Sequence, residues 1–197
     1  GTDRFFLQEI VDLAFVPGSD IAYVVSRASD TVQAVIFDPQ TGVRLGLPQI
    51  NVGTTGCQNP IGIAIAGGLN RAYVDCWLTR RIAVINLADQ STTTVQSAEL
   101  PMPETSEEDI RLGKRFYFTG RGRWSDEGEG YSSCASCHPD GLSDNITWSF
   151  AAGPRRTCPW FQVCSAPGVC QSWQVSRTVS AAGLPSEIRT YSRRAPI

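Results

Sequence analysis

Five consecutive residues, Cys134-Ala135-Ser136-Cys137-His138, hold two of the seven cysteines and the single histidine of this 197-residue chain. Two cysteines three positions apart, followed directly by histidine, form the attachment pattern of c-type haem. Near a helix start, such thiols reach the two vinyl groups on one edge of a porphyrin. The next residue then projects onto the ring face, where its imidazole binds the iron as proximal ligand. That nitrogen sets the iron's potential together with the opposite ligand and the burial of the ring. Two other chemistries use the same residues. A zinc site would take Cys134, Cys137 and His138 and borrow a fourth ligand from Cys57, Cys76, Cys158, Cys164 or Cys170. A redox dithiol would need a βαβ context, which this sequence lacks. A lone histidine at this one position favours haem, one group per chain, held covalently.

The opposite face of the iron is less well supplied. The only methionine, Met102, lies upstream between Pro101 and Pro103, and no second histidine exists. The candidates for the sixth position are Met102, a tyrosine, cysteine or amine, water, or a group outside these residues. Met102 reads more readily as a linker residue than as a ligand, since thioethers often merely fill gaps.

The motif must be carried by the segment before it. Pro101 and Pro103 close a strand-rich region. Thr105 and Ser106 then offer N-cap hydroxyls, with Glu108 or Asp109 three residues on. Acids at 107, 108 and 109 oppose the helix dipole, and Lys114 and Arg115 follow in later turns. The pattern predicts a helix from about Ser106 to Tyr117.

The first hundred residues contain a repeat. "VDLAFVPGSDIAYVVSRASDTVQAVIF" (Val11–Phe37) aligns without gaps on "IGIAIAGGLNRAYVDCWLTRRIAVINL" (Ile61–Leu87) at an offset of fifty. Ala22-Tyr23-Val24 meets Ala72-Tyr73-Val74, and Gly18 meets Gly68. Each copy reads as strand, turn, strand, turn, strand, broken by Pro17-Gly18-Ser19-Asp20 or Gly67-Gly68-Leu69-Asn70. A fixed period of this length signals a repeat architecture. Three or four short strands per repeat is the anatomy of a β-propeller blade. Cys57 and Cys76 are either a disulfide across neighbouring strands or two buried thiols, because sequence does not place their Cβ atoms.

Whole-chain properties bound the function. The formal net charge is −2, so no bulk attraction to nucleic acid or anionic membrane is implied. No apolar run approaches a membrane span. Seven cysteines point to an oxidising compartment. The chain begins at Gly1 with no visible leader, which suggests a processed protein or a fragment. Arginine outnumbers lysine sixteen to one, a skew read as nucleotide composition.

Two resemblances sharpen these readings. "NRAYVDCWLTRRIAVINLADQST" resembles the YVTN-type, lactonase-like propeller repeat over roughly residues 11–95. Closed propellers have at least about four blades, so two blades imply missing upstream blades or packing on the next domain. "GKRFYFTGRGRWSDEGEGYSSCASCHPDGLSDNITWSF" (Gly113–Phe150) resembles the haem-binding segment of the di-haem cytochrome c peroxidase family. Gly113, Lys114, Phe116 and Phe118 fit its helix end. Arg123 and Ser125 fit its turn, Cys134, Cys137 and His138 its attachment site, and Asp144 its last position. The resemblance implies Arg123, and also Arg121, beside a haem propionate, which a guanidinium suits. It implies Trp124, Tyr131 and Trp148 as walls of the porphyrin. The alternatives are exposed turn arginines and ordinary core aromatics. That family carries two Cys-x-x-Cys-His motifs, and this chain has one.

From Pro154 the composition changes: one acid, Glu187, stands against six arginines, with Cys158, Cys164 and Cys170 at six-residue intervals. Poor order is expected beyond about residue 157. The expected organisation is β + α: a partial β-propeller of two blades (1–100), a small all-α cytochrome c-like domain (101–157), and an irregular tail (158–197). The expected function is electron transfer by a covalent haem c protein in the bacterial periplasm or outside the cell, with a redox partner protein. The alternatives are part of a di-haem peroxidase-like oxidoreductase, completed by a second haem domain, and a propeller binding module with a structural haem.

Overall fold

The fifty-residue repeat folds as two antiparallel meanders. In the computed structural model, residues 5–44, 47–123, 125 and 128–157 are described, with only the backbone at 43, 44, 150, 163–166 and 169–171. The first sheet runs β1 (Ile10–Phe15), β2 (Ile21–Ser26), β3 (Thr31–Asp38) and β4 (Gly42–Arg44). A fifth strand, β5 (Gln49–Asn51), pairs with the other end of β3. The second sheet runs β6 (Pro60–Ala66), β7 (Arg71–Cys76), β8 (Arg81–Asn86) and β9 (Thr92–Gln96) in that order.

The offset of fifty survives in the register. Leu13 lies opposite Val24 as Ile63 lies opposite Val74, and Ala22 faces Val35 as Ala72 faces Ile85. Each first strand is irregular at the same place, between Ile10 and Asp12 and between Pro60 and Gly62. Even the left-handed turn positions correspond: Glu9 (φ 54°) with Asn59 (49°), and Asp30 (53°) with Arg80 (50°).

The two sheets share one core. Tyr23, Val25, Val32 and Ala34 of the first pack with Ala72, Val74, Ala83 and Ile85 of the second. Each such Val or Ile contributes about 1.5–3 kcal/mol by leaving water. Cys57 and Cys76 form a disulfide across this core, with Cα atoms 5.0 Å apart. Of the two states that the sequence left open for this pair, the structure has the bridge.

Helix α1 (Ser106–Phe118) starts as its sequence predicts. Thr105 Oγ1 accepts the Glu108 amide at 3.3 Å, and Glu107, Glu108 and Asp109 fill the first turn. The helix buries no residue completely, so polar contacts hold it. Arg115 donates to both oxygens of Asp30, at 3.0 and 2.7 Å, and to Asn59 Oδ1 at 2.9 Å. The Asn59 amide N–H donates to Asp30 Oδ1 at 2.7 Å. Asp30 belongs to the first sheet's β2–β3 turn and Asn59 leads into the second sheet, so one guanidinium ties α1 to both. Apolar contacts add to this: Phe118 meets Trp77 edge-on, with ring centroids 5.5 Å apart, and the Arg27 guanidinium lies 4.1 Å over the Phe118 ring.

The chain divides into two compact units, 1–136 and 137–197, each described by itself. Within the second, β10 (Thr147–Phe150) and β11 (Gly153–Arg156) form an antiparallel hairpin. An all-α domain was expected here. The described residues 101–157 contain instead one long helix, a four-residue helix at 134–137 and this hairpin. The reason is local. Thr147-Trp148-Ser149-Phe150 alternates hydroxyl-bearing with aromatic residues, three of the four being strand-favouring types, and Gly153 supplies the φ of 105° that the return needs. In the tail, the backbones of β12 (Val163–Ala166) and β13 (Val169–Gln171) pair, with Cys164 opposite Cys170. The expectations for the rest of 158–197, Cys158 included, lie outside the described residues.

Candidate functional site

The motif stands on a short helix, α2 (Cys134–Cys137). Its start is a reciprocal cap between two serines. Ser133 Oγ accepts the Ser136 amide at 3.1 Å, and Ser136 Oγ accepts the Ser133 amide at 3.1 Å. This is the geometry of a capping box with serine in the usual Glu or Gln position. The Ser133 hydroxyl also donates to Glu9 Oε1, and Glu9 Oε2 accepts from Arg27 Nε at 2.8 Å. The segment before the motif is thereby fastened to the first sheet. Ser125, buried, accepts the Ser132 amide at 2.7 Å. None of these anchors was legible as such, although serines three apart at 133 and 136 are a visible capping signal.

Cys134 is a free, half-buried thiol. Burial pushes its pKa up, with the Glu9 carboxylate a smaller contribution in the same direction. The thiol is therefore protonated at neutral pH.

In the second unit, Cys137 and His138 are half-buried. His138 leaves the helical region (φ −121°, ψ 59°), and Pro139–Gly141 turns back on it. The Gly141 amide donates to the His138 carbonyl at 3.0 Å, and the Asp144 amide to the Cys137 carbonyl at 3.1 Å. These bonds close a tight loop that places the Leu142 carbonyl 2.9 Å from His138 Nδ1. A carbonyl only accepts, so Nδ1 carries the proton and the neutral ring has its lone pair on Nε2. Metal-binding histidines are commonly oriented this way.

Asp144 organises the rest of the loop. Its carboxylate accepts the Ile146 amide at 3.0 Å and the Trp148 indole N–H at 2.9 Å. Desolvation works to raise its pKa, but the hydrogen bonds from Ile146, Trp148 and Thr157 outweigh it and hold the carboxyl below its ordinary value. Leu142, Ile146 and Trp148 of this unit are exposed, at 60%, 49% and 38%.

The other expected site residues are placed as follows. Arg121 Nη1 donates to the Ser29 carbonyl at 3.2 Å, and its guanidinium lies 3.5 Å over the Phe5 ring. It lines a cleft with Asp30, Asn51, Gln58 and Arg115, and burial lowers its pKa. Arg123 is exposed. Tyr131, half-exposed, meets Phe6 edge-on with centroids 5.2 Å apart. Trp124 lies outside the described residues. Met102 is 73% exposed, and its carbonyl accepts the Thr105 hydroxyl at 2.7 Å in the turn before α1. Among the described residues, no group of three or more His, Cys, Asp or Glu side chains is gathered for a metal ion, and no helix is long and apolar enough to cross a membrane.

No family model and no curated protein matches the chain. Several solved structures are similar to part of it, two of which follow. One is a candidate 6-phosphogluconolactonase from Bacteroides uniformis, 14% identical, with a TM-score of 0.37 over 44% of this chain and 25% of that one. The other is a functionally unknown protein from Desulfotomaculum acetoxidans, 19% identical, with a TM-score of 0.39 over 47% of this chain and 30% of that one. The chain spans less than a third of the length of either.

Proposed function

We propose that the chain is an electron-transfer protein that carries one covalent c-type haem at Cys134, Cys137 and His138. The observation that carries this reading is the His138 Nδ1 hydrogen bond to the Leu142 carbonyl at 2.9 Å, directly after the short helix of the two cysteines. It selects the tautomer whose Nε2 can bind iron. The donor set fits the group: two thiols for thioether bonds, one imidazole for the metal, and exposed Leu142, Ile146 and Trp148 to cover an apolar ring. Bound there, the iron would accept and pass on one electron.

The roles of the protein groups follow from their contacts. Ser133 and Ser136 cap the helix that presents Cys134 and Cys137. The Leu142 carbonyl orients His138 through Nδ1. Asp144, held ionised, keeps the 138–148 loop in place through the Cys137 carbonyl and the Trp148 indole. Arg123, which is exposed, is the proposed propionate partner. Arg121 is already committed to Ser29 and Phe5. The two meanders are proposed as propeller blades, and the oxidising compartment required by the Cys57–Cys76 disulfide supports a periplasmic or extracellular site of action.

The test is the visible spectrum of the reduced protein, produced in a bacterium with a cytochrome c maturation system. Sharp low-spin bands, insensitive to carbon monoxide and lost in the Cys134→Ala/Cys137→Ala variant, are expected. A high-spin spectrum that reacts with peroxide would replace the carrier reading with a peroxidase-like one. A colourless protein would contradict both.

A further inference from the structure

Cys158, Cys164 and Cys170 belong neither to the motif nor to the Cys57–Cys76 bridge. Two of them meet in the backbone. Strands β12 and β13 run antiparallel with Cys164 directly opposite Cys170, between the pairs Val163–Gln171 and Ala166–Val169. Residues directly opposite each other in an antiparallel pair share a face. Their Cα atoms are about 4.5 or 5.5 Å apart, according to the hydrogen-bonding pattern. A disulfide spans Cα separations of about 4.4–6.8 Å, so either pattern admits a bridge at this register. The Cys57–Cys76 bridge of the same chain closes at 5.0 Å. Only Ser165–Val169 lies between Cys164 and Cys170 in the sequence, so the loop to be closed is short and its entropic cost small.

The hairpin itself calls for a constraint. Among the described strands, β12 and β13 pair only with each other. An isolated two-stranded hairpin is marginal in water at best. The register is also interrupted between Cys164 and Ala166. A one-residue slip would send the two cysteines to opposite faces. A bond between them forms only in the observed register and then pins it.

We infer that Cys164 and Cys170 are joined by a disulfide that staples the β12–β13 hairpin. Forming it takes one proton and one electron from each thiol. Both pass to a thiol–disulfide oxidant, whose own disulfide is reduced to two thiols. That is the same class of reaction that closes Cys57–Cys76. The bridge also withdraws Cys164 and Cys170 from the donors open to a zinc ion, which leaves Cys158 as the one remaining candidate for a fourth ligand. The inference stands on the β12–β13 register alone and is independent of the haem reading.

Peptide mapping tests it. The full chain, exported to the periplasm of a bacterial host, is denatured in an alkylating agent without reductant and digested with chymotrypsin. Cleavage after Phe161 and Trp173 isolates a peptide, 162–173, that carries Cys164 and Cys170 without Cys158. This peptide is expected without alkyl groups, lighter than its dithiol form by two hydrogens, and to take up two alkyl groups only after reduction. Cys158→Ser is expected to leave that result unchanged. Recovery of the peptide doubly alkylated before reduction overturns the inference. So does recovery linked to the peptide that holds Cys158, or to a second chain, and so does loss of the bridged form in Cys158→Ser.

Discussion

Replacing Arg115 with methionine removes the guanidinium that joins α1 to both sheets. The Asp30 side chain is 4% exposed and that of Arg115 19%. Methionine keeps most of the apolar stem, so the loss is concentrated in the charge and its hydrogen bonds. Asp30 keeps the Asn59 amide at 2.7 Å and loses both Arg115 contacts, at 3.0 and 2.7 Å. A buried carboxylate stripped of its partner costs about 3–5 kcal/mol. For a chain of this size, that is a fall in Tm of about 10 °C. Urea unfolding followed by tryptophan fluorescence reads the change, since Trp77 packs on Phe118 of the same helix. Adding Asp30→Asn to the variant removes the stranded charge, and about half of the lost stability is expected to return. Loss of less than about 1 kcal/mol in Arg115→Met, the value of an exposed surface pair, would refute the claim that this pair fastens the helix.

Reduction of the Cys57–Cys76 bridge, which spans 19 residues, is expected to cost about 3 kcal/mol through the unfolded chain; an unchanged denaturation midpoint in reductant would contradict that. Ser133→Ala removes one half of the reciprocal cap before the motif and is expected to cost about 1 kcal/mol, read as faster hydrogen exchange at the Ser136 amide; exchange at the wild-type rate would count against the cap. Because the Asp144 pKa is depressed on folding, its contribution is present above the ordinary carboxyl value of about 3.9 and is lost as pH falls through the lower folded value. The Trp148 indole N–H resonance should therefore shift only on acidification below about pH 4. A shift centred near neutral pH would exclude Asp144 as its cause.

The repeat was legible because matched residues at a fixed offset report equal strand positions, and the register, the bulges and the left-handed turns all follow that offset. Helix α1 was legible through Thr105 and the acids after it, which act within one turn. What failed to show was non-local or compensated. Nothing in the sequence couples Asp30 to Arg115 across 85 residues. The Cys57–Cys76 pairing depends on where two turns bring their Cβ atoms. The hairpin at 147–156 was missed because the resemblance to a helical domain outweighed the local alternation of Thr147 to Phe150. At the motif itself, the cysteines and histidine were evident from spacing. The Leu142 carbonyl was not, because a backbone acceptor carries no side-chain signature.

The function proposed for the motif depends on covalent attachment of one haem through Cys134 and Cys137. Intact mass spectrometry of the denatured protein, after maturation in a competent bacterial host, tests it most directly. The expected mass is that of the chain plus one haem, reverting to the bare polypeptide mass in Cys134→Ala/Cys137→Ala. A wild-type chain recovered at its bare polypeptide mass would contradict it.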